Sequence, residues 1–303
     1  MIDRKQLRDL HDQNLPLHVL EQDYIQALFL QKLYSQTEGL VFKGGTFLKH
    51  AHGLDRFSED LDFTQREGFE NIVPVLKEAA ESLSDYGVEA EVDSIEENDV
   101  SASCRLIYRG PLYDGSQHSR GSIEIDVSKR EDVLTEPEWI RLFFEYPEIR
   151  VVNALGLSRE ELLAEKLRAL ATRDKARDLY DCWYLINQGI EPRNELFKQK
   201  MEVVGEGAVL NISVTEEKWE NDLNIFLENP PALDTVREQL VSELEQKDFK
   251  IVELESGIKL IPVADNSVEG LKEAMNGAED IDIENLSEEI DEAAREELKE
   301  EFQ

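Results

Sequence analysis

The sequence has little cysteine, few basic residues and no long apolar run. Its 303 residues include two cysteines, Cys104 and Cys182, which are far apart and form no CxxC pair. This excludes a disulfide framework and a cysteine-based zinc site. His50 and His52 are two residues apart, a spacing that sends side chains to different faces of a helix and disfavours a metal role. Residues 1–10 are charged, unlike a leader peptide, and no run approaches about 18 apolar residues. We expect a soluble, cytoplasmic protein with no membrane partner.

Basic residues are outnumbered by acidic ones, 33 Lys and Arg against 67 Asp and Glu, which gives a net charge of −34 and a pI near 4.4. A field of this sign repels phosphates, which disfavours a nucleic-acid binder that uses a broad basic patch, and any such chemistry needs a local site. The acid excess costs self-repulsion in the folded state, which high salt screens. Composition therefore favours the cytoplasm of a halophilic organism. An ordinary acidic cytosolic protein is the alternative.

The first half of the chain alternates helical and strand patterns. Apolar residues near the helical period predict helices, the first of them amphipathic, at 17–36, 46–52 and 71–85. Short apolar or alternating runs predict strands at 40–42, 61–64, 88–95, 102–108 and 122–127. The expected fold class is α+β, with a mixed β-sheet and helices packed against it.

The second half of the chain is predicted to be mostly helical. Helices are predicted at 158–171, 175–187, 194–204, 216–227 and 232–246. A small hairpin is expected over 249–263, and 279–303 is an acidic tail that is either a marginal helix or disordered until it meets a partner. We expect three parts: a core at 1–150, a helical domain that completes the site at 151–248, and the C-terminal hairpin and tail at 249–303.

Two glycines follow the predicted strand at 40–42, within the run Lys43-Gly44-Gly45-Thr46. Glycines at this place let backbone amides approach a phosphate, and the N-terminus of the next helix adds unpaired N–H groups and a favourable dipole. The run predicts a phosphate-binding turn. A turn with a purely structural role is the alternative.

Two carboxylates follow closely, in the segment RFSEDLD at residues 56–62. On a strand, Asp60 and Asp62 share one face about 7 Å apart, while Leu61 packs into the core. Two like charges on one edge are costly unless a cation lies between them, and Mg²⁺ prefers oxygen ligands and keeps phosphates or water. The combination with the glycine turn indicates phosphoryl transfer. Two solvated acids in an acidic protein are the alternative.

A third carboxylate is expected from the strand at 122–127. Ile123, Ile125 and Val127 form its apolar face, which places Glu124 and Asp126 on the opposite face. A third acid beside the first two can hold a second metal ion and act as general base toward an attacking hydroxyl. We assign this role to Asp126, with Glu124 as the alternative.

Positive charge is concentrated downstream, at Lys166, Arg168, Arg173, Lys175 and Arg177. Against the acidic background this patch indicates a site for a triphosphate or a polynucleotide backbone. Helices held by ion pairs, such as Arg177 with Asp181, are the alternative.

These motifs together resemble the AbiEii-type nucleotidyltransferase toxin family, within the DNA polymerase β-like superfamily. The resemblance runs from about residue 17 to 185 and rests on KGGTFL at 43–48, RFSEDLD at 56–62, the later strand acid, Lys166, and RDLYD at 177–181. It implies a nucleotidyltransferase-like mixed sheet followed by a helical C-terminal region. It also implies an NTP substrate and Mg²⁺, with two ions possible.

The resemblance also implies roles for individual residues. The nucleotide-binding set is Lys43, Gly44, Gly45, Thr46, Ser58 and Lys166. The catalytic set is Asp60, Asp62, Asp126, Lys166 and Asp178. The metal ligands are Asp60, Asp62 and Asp126.

Members of this family act as the toxin of a toxin–antitoxin or phage-defence pair, which implies a tRNA acceptor and an antitoxin of the transcriptional-regulator type. Two other functions are considered. The first is a catalytically silent module of the same fold that binds a nucleotide or a protein, against which the retained acid pair argues. The second is a toxin that acts by protein contact through its C-terminal helices.

Overall fold

A computed structural model describes residues 1–10, 15–173, 175–203, 210–212, 214–247, 249–254 and 257–262. The chain forms two compact units. The first contains residues 1–158 and 224–229, and the second contains residues 159–223 and the described residues from 230 onward. Within the described ranges, no helix is long and apolar enough to cross a bilayer.

The first unit mixes helices and strands, which confirms the α+β prediction. Its helices are α1 (Arg4–Asp9), α2 (Leu17–Leu33), α3 (Gly44–His52) and α4 (Ile72–Glu81), followed by a 3₁₀ turn at Ser82–Tyr86. Its strands are β1 (Leu40–Lys43), β2 (Leu61–Gln65), β3 (Glu89–Glu97), β4 (Ser101–Arg109), β5 (Gly121–Ser128), β6 (Glu138–Leu142) and β7 (Val152–Gly156). A second 3₁₀ turn, Gln117–Ser119, lies in the long β4–β5 connection.

The seven strands form one mixed sheet in the order β3-β4-β5-β2-β1-β7-β6. The pairs β1–β7 and β2–β5 are parallel, and the other neighbours are antiparallel. The sequence did not predict β6 or β7. β6 is a short edge strand with mostly exposed residues, and β7 is buried at four of its five residues, so neither shows a clear alternation.

Helix α2 corrects the expected amphipathic pattern. It is buried around most of its circumference, and its buried residues include three polar ones, Glu21, Asp23 and Gln26. Each has a partner in the first unit: Glu21 accepts from the amide of Leu112, Asp23 accepts from the hydroxyl of Tyr146, and Gln26 donates to a loop before β2. Buried polar groups are tolerated when they are hydrogen-bonded, so the helix can lie inside the unit.

The second unit is mainly helical, as predicted. Its helices are α5 (Arg159–Thr172), α6 (Ala176–Asn187), α7 (Asn194–Glu202), α8 (Glu216–Leu223) and α9 (Leu233–Glu245). A small sheet in the order β8-β10-β9 is formed by β8 (Leu210–Ile212), β9 (Phe249–Leu254) and β10 (Gly257–Pro262). β9 and β10 are antiparallel neighbours, which confirms the expected hairpin. The acidic tail at 279–303 lies outside the described residues.

Candidate active site

Three predicted site residues occupy one row of the central sheet. Lys43 of β1 lies opposite Asp62 of β2, and Asp62 lies opposite Asp126 of β5. Directly opposed residues of neighbouring strands point their side chains to the same face, with the strands about 4.8 Å apart. The register therefore brings Asp62 and Asp126 together beside Lys43, although 64 positions separate the two acids in the sequence.

The second predicted strand acid occupies a different place than expected. β2 begins at Leu61, so Asp60 lies in the loop before the strand and is not paired with a neighbouring strand as Asp62 is. Its backbone carbonyl accepts a hydrogen bond from Thr46 Oγ1 at 2.6 Å. Thr46 is fully buried on α3, so its hydroxyl ties the loop to the helix rather than pointing into solvent.

The two glycines lie at the end of β1, with Gly44 next to Asp62 and Gly45 next to Ser58. Helix α3 begins at Gly44, two residues earlier than predicted, so the glycines form its first turn. A β-carbon added to Gly44 would lie 2.0 Å from Asp62 Oδ2, and one added to Gly45 would lie 2.7 Å from Ser58 Oγ. Since lysine has no acceptor atom, the N-cap residue Lys43 cannot cap the first amides of α3. The turn is thus a close-fitting, uncapped helix N-terminus, which suits an anion.

We expect Gly44→Ala to lower both stability and NTP affinity. Gly44 has φ +75°, a conformation that costs an alanine about 1 kcal/mol, and the new methyl group would also displace the Asp62 carboxylate. The matched control is Gly68→Ala, because Gly68 has φ +76° with open space around it. Thermal unfolding and NTP titration of both variants separate the effect of backbone strain from the effect of the contact with Asp62. Equal NTP affinity in the two variants would argue against a phosphate-binding role for the glycine turn.

Lys43 has a buried partner that the sequence analysis missed. Its Nζ lies 2.5 Å from Glu131 Oε2, and both residues are at least nine-tenths buried. Glu131 lies in an irregular segment after β5, so no periodic pattern marks it. The ion pair fixes the side chain of Lys43 beside Asp62 and Asp126.

The electrostatics of the row favour a bound cation. Burial first, and then the charges of Asp62 and Glu124, raise the pKa of Asp126. Asp126 is nevertheless exposed, which leaves its carboxylate open to a ligand. Within the described part of the chain, no three His, Cys, Asp or Glu side chains form a metal-binding group. Asp62 and Asp126 would offer a Mg²⁺ ion two protein carboxylates, and phosphate oxygens and water would have to complete its shell.

The raised pKa of Asp126 has a measurable consequence for Asp126→Asn. A raised carboxyl pKa means that the ionised form is disfavoured in the folded state, so wild type loses stability as pH rises through that pKa. In chelator, the variant should be more stable than wild type near neutral pH, by at most about 1 kcal/mol because solvent screens this side chain. The difference should vanish as pH falls below 4. Thermal unfolding at both pH values measures it.

The matched control for this prediction is Glu124→Gln. Glu124 is exposed and forms an ion pair with Arg105 at 2.6 Å, so it lies in a solvated pair rather than in the acid row. Removing such a pair changes stability by less than about 0.5 kcal/mol and should leave activity unaltered. Loss of activity in Glu124→Gln with activity retained in Asp126→Asn would show that Glu124, rather than Asp126, is the third functional acid.

The remaining two predicted site residues lie in the second unit and contact each other. Lys166 Nζ of α5 lies 2.7 Å from Asp181 Oδ2 and 3.6 Å from Asp178 Oδ1, both on α6. Arg173 donates to both oxygens of Asp178, at 2.7 and 3.0 Å. Asp178 and Asp181 are almost completely buried. Lys166 is thus paired with Asp181, the acid named as a partner of Arg177 in the alternative interpretation of the basic patch.

The sequence and the fold each match known proteins. A family model described as "Nucleotidyl transferase AbiEii toxin, Type IV TA system" matches residues 28–276. MenT4, a nucleotidyltransferase toxin from Mycobacterium tuberculosis H37Rv, has a similar structure, with a TM-score of 0.61 and 20% identity over 80% of this chain and 88% of that one. JHP933 from Helicobacter pylori is similar with a TM-score of 0.50 and 18% identity, over 77% and 93% of the two chains. No curated protein matches.

Proposed function

The chain belongs to the AbiEii family of nucleotidyltransferase toxins, and we propose that it moves a nucleoside monophosphate from an NTP to an acceptor hydroxyl with the help of Mg²⁺. The family implies a nucleotide substrate and an antitoxin partner. The observation that carries the proposal is the sheet row of Asp62 and Asp126 beside the Gly44 turn. It joins a carboxylate pair to an anion-binding helix end.

In this proposal, residues of the first unit bind the triphosphate and the metal ion. The triphosphate lies over Gly44 and Gly45, with Ser58 beside the turn. Asp62 and Asp126 are the residues of the sheet row that would hold Mg²⁺, which when bound neutralises phosphate charge and orients the oxygens. The resemblance of the motif adds Asp60, from the loop before β2, to this set.

Asp126 accepts the proton of the acceptor hydroxyl. The acceptor oxygen forms a bond to the α-phosphorus as the bond to the β-phosphate oxygen breaks, and pyrophosphate leaves. The protein contributes mainly positioning and electrostatics.

Lys166 and Asp178 complete the proposed catalytic set. Lys166 lies close to Asp181, and the resemblance assigns its ammonium group to offsetting charge on the phosphates. Asp178 is buried and held by Arg173 in a fixed orientation, as expected of an acid with a positional role. Both assignments rest on the resemblance of the motif at 177–181 to the family.

The acceptor in this proposal is the hydroxyl of a tRNA, and the partner is a regulator-type antitoxin, with the pair acting in the cytoplasm in phage defence. The net charge of −34 requires RNA to bind at a local site and makes the salt dependence informative. A halophilic source predicts activity that survives high salt.

The test is a labelling reaction with Mg²⁺, each α-³²P-labelled NTP, and total RNA or total protein as acceptor, at low and high salt. We expect label on a discrete RNA band with one NTP, and none after chelation. Label on a protein band would show that the acceptor is a protein rather than RNA. NTP binding without any label would favour the catalytically silent binding module.

A further inference from the structure

The loop that carries Ser58 and Asp60 has no regular secondary structure, yet its backbone is held by side chains. Residues 57–60 connect the region after α3 to β2. All four of their carbonyls accept hydrogen bonds from buried donors. Arg56 donates to the first at 2.9 Å, Gln26 to the second and third at 3.0 and 2.8 Å, and Thr46 to the fourth at 2.6 Å.

Gln26 is distinct from the other two donors because it comes from a remote element. It lies in the middle of α2, 32 residues from Ser58 in sequence, and is fully buried. Only the NH₂ group of its amide can donate, so it is this group that faces the two carbonyls. Its Oε1 is buried and has no hydrogen-bond partner among the described residues.

A leucine at this helix position would avoid the unpaired oxygen but would leave the carbonyls of Ser58 and Glu59 without these donors. The place of these two carbonyls beside the glycine turn indicates a functional role for Gln26 in addition to its role in folding. Ser58 Oγ lies against the glycine turn, 2.7 Å from where a β-carbon of Gly45 would be. A shift of the loop would move Ser58 and Asp60 away from this turn together.

We infer that Gln26 is a positioning residue for nucleotidyl transfer, whose amide holds the Ser58–Asp60 loop against the glycine turn. It touches neither substrate nor metal and acts through the loop backbone. The inference rests on the proposed function only for the role of Ser58 and Asp60. A misplacement of about 1 Å at such a site costs about 10²-fold in rate.

The experiment compares Gln26→Leu with Gln22→Leu. Gln22 lies on the same helix and also donates its Nε2 to a backbone carbonyl, that of Ser122 at 3.0 Å, but away from the loop. We expect Gln26→Leu to lower kcat about 10- to 100-fold with a smaller change in KM for the NTP. Gln22→Leu should stay within about twofold of wild type. Equal rates in the two folded variants would overturn the inference.

Hydrogen–deuterium exchange gives a readout that does not depend on turnover. The amides of residues 58–60 should exchange about tenfold faster in Gln26→Leu than in wild type or Gln22→Leu. Unchanged exchange there would overturn the inference even if wild type transferred no nucleotide, which separates it from failure of the proposed function. If Gln26→Leu does not fold, Gln26→Asn keeps the amide but shortens its reach, and the same two outcomes apply.

Discussion

Asp62→Asn is expected to lower nucleotidyl transfer by about 10³-fold or more while the protein stays folded. Asp62 lies at the centre of the acid row, opposite both Lys43 and Asp126, and against Gly44. The substitution keeps the shape of the side chain and removes its charge, so the proposed Mg²⁺ site loses a ligand. Single-turnover transfer from an α-labelled NTP measures the effect.

Asp62→Asn should also unfold in chelator at the same temperature as wild type or slightly above it. The lost charge is one of those that raise the pKa of Asp126, so its removal relieves repulsion. Asp93→Asn is the control, because Asp93 is an exposed acid on strand β3 of the same sheet. If the Asp62 variant kept full activity, or lost it only through unfolding, the metal assignment would fail.

Lys200→Met is expected to cost about 3–5 kcal/mol of stability, the largest effect on folding that we predict. Lys200 on α7 is 2% exposed, and its Nζ lies 2.6 Å from Glu161 and 3.1 Å from Glu165 on α5. Methionine fills the same volume but leaves two buried carboxylates without this cation. Since domains are stable by about 5–15 kcal/mol, chemical denaturation should show a large loss.

Lys198→Met on the same helix is the matched control. Lys198 is partly exposed, and such a substitution should change stability by less than about 0.5 kcal/mol. Lys200→Arg keeps the charge and should recover part of the loss. A denaturation midpoint for Lys200→Met equal to that of the control would show that the buried cluster contributes little.

The elements around the site were predictable because their signals are local. The strand at β1, the glycines after it and the strand acid Asp62 are all within one short segment. The antiparallel β4–β5 pair showed its alternation directly, and Asp126 was placed on the correct strand face. In the second unit, α5 begins directly after Ser158, and α6 ends two residues before Gly189, which has φ +80°.

The remaining features depend on contacts that a linear pattern does not contain. The row of Lys43, Asp62 and Asp126 depends on sheet register, and the Lys43–Glu131 and Lys166–Asp181 pairs depend on packing between distant segments. The burial of α2 was missed because its polar residues look like a solvated face until their partners are known. Gln26 carried one usable signal, an amide inside an otherwise apolar run.

The central claim is that the Gly-Gly turn and the acid row transfer a nucleoside monophosphate. The most direct test incubates wild type and the Asp60→Asn/Asp62→Asn double variant with Mg²⁺, host RNA, and the same NTP labelled at either the α- or the γ-phosphate. The account predicts RNA labelled by wild type from the α-position only, and no label with the double variant. Label from the γ-position, or α-label that persists in the folded double variant, would contradict it.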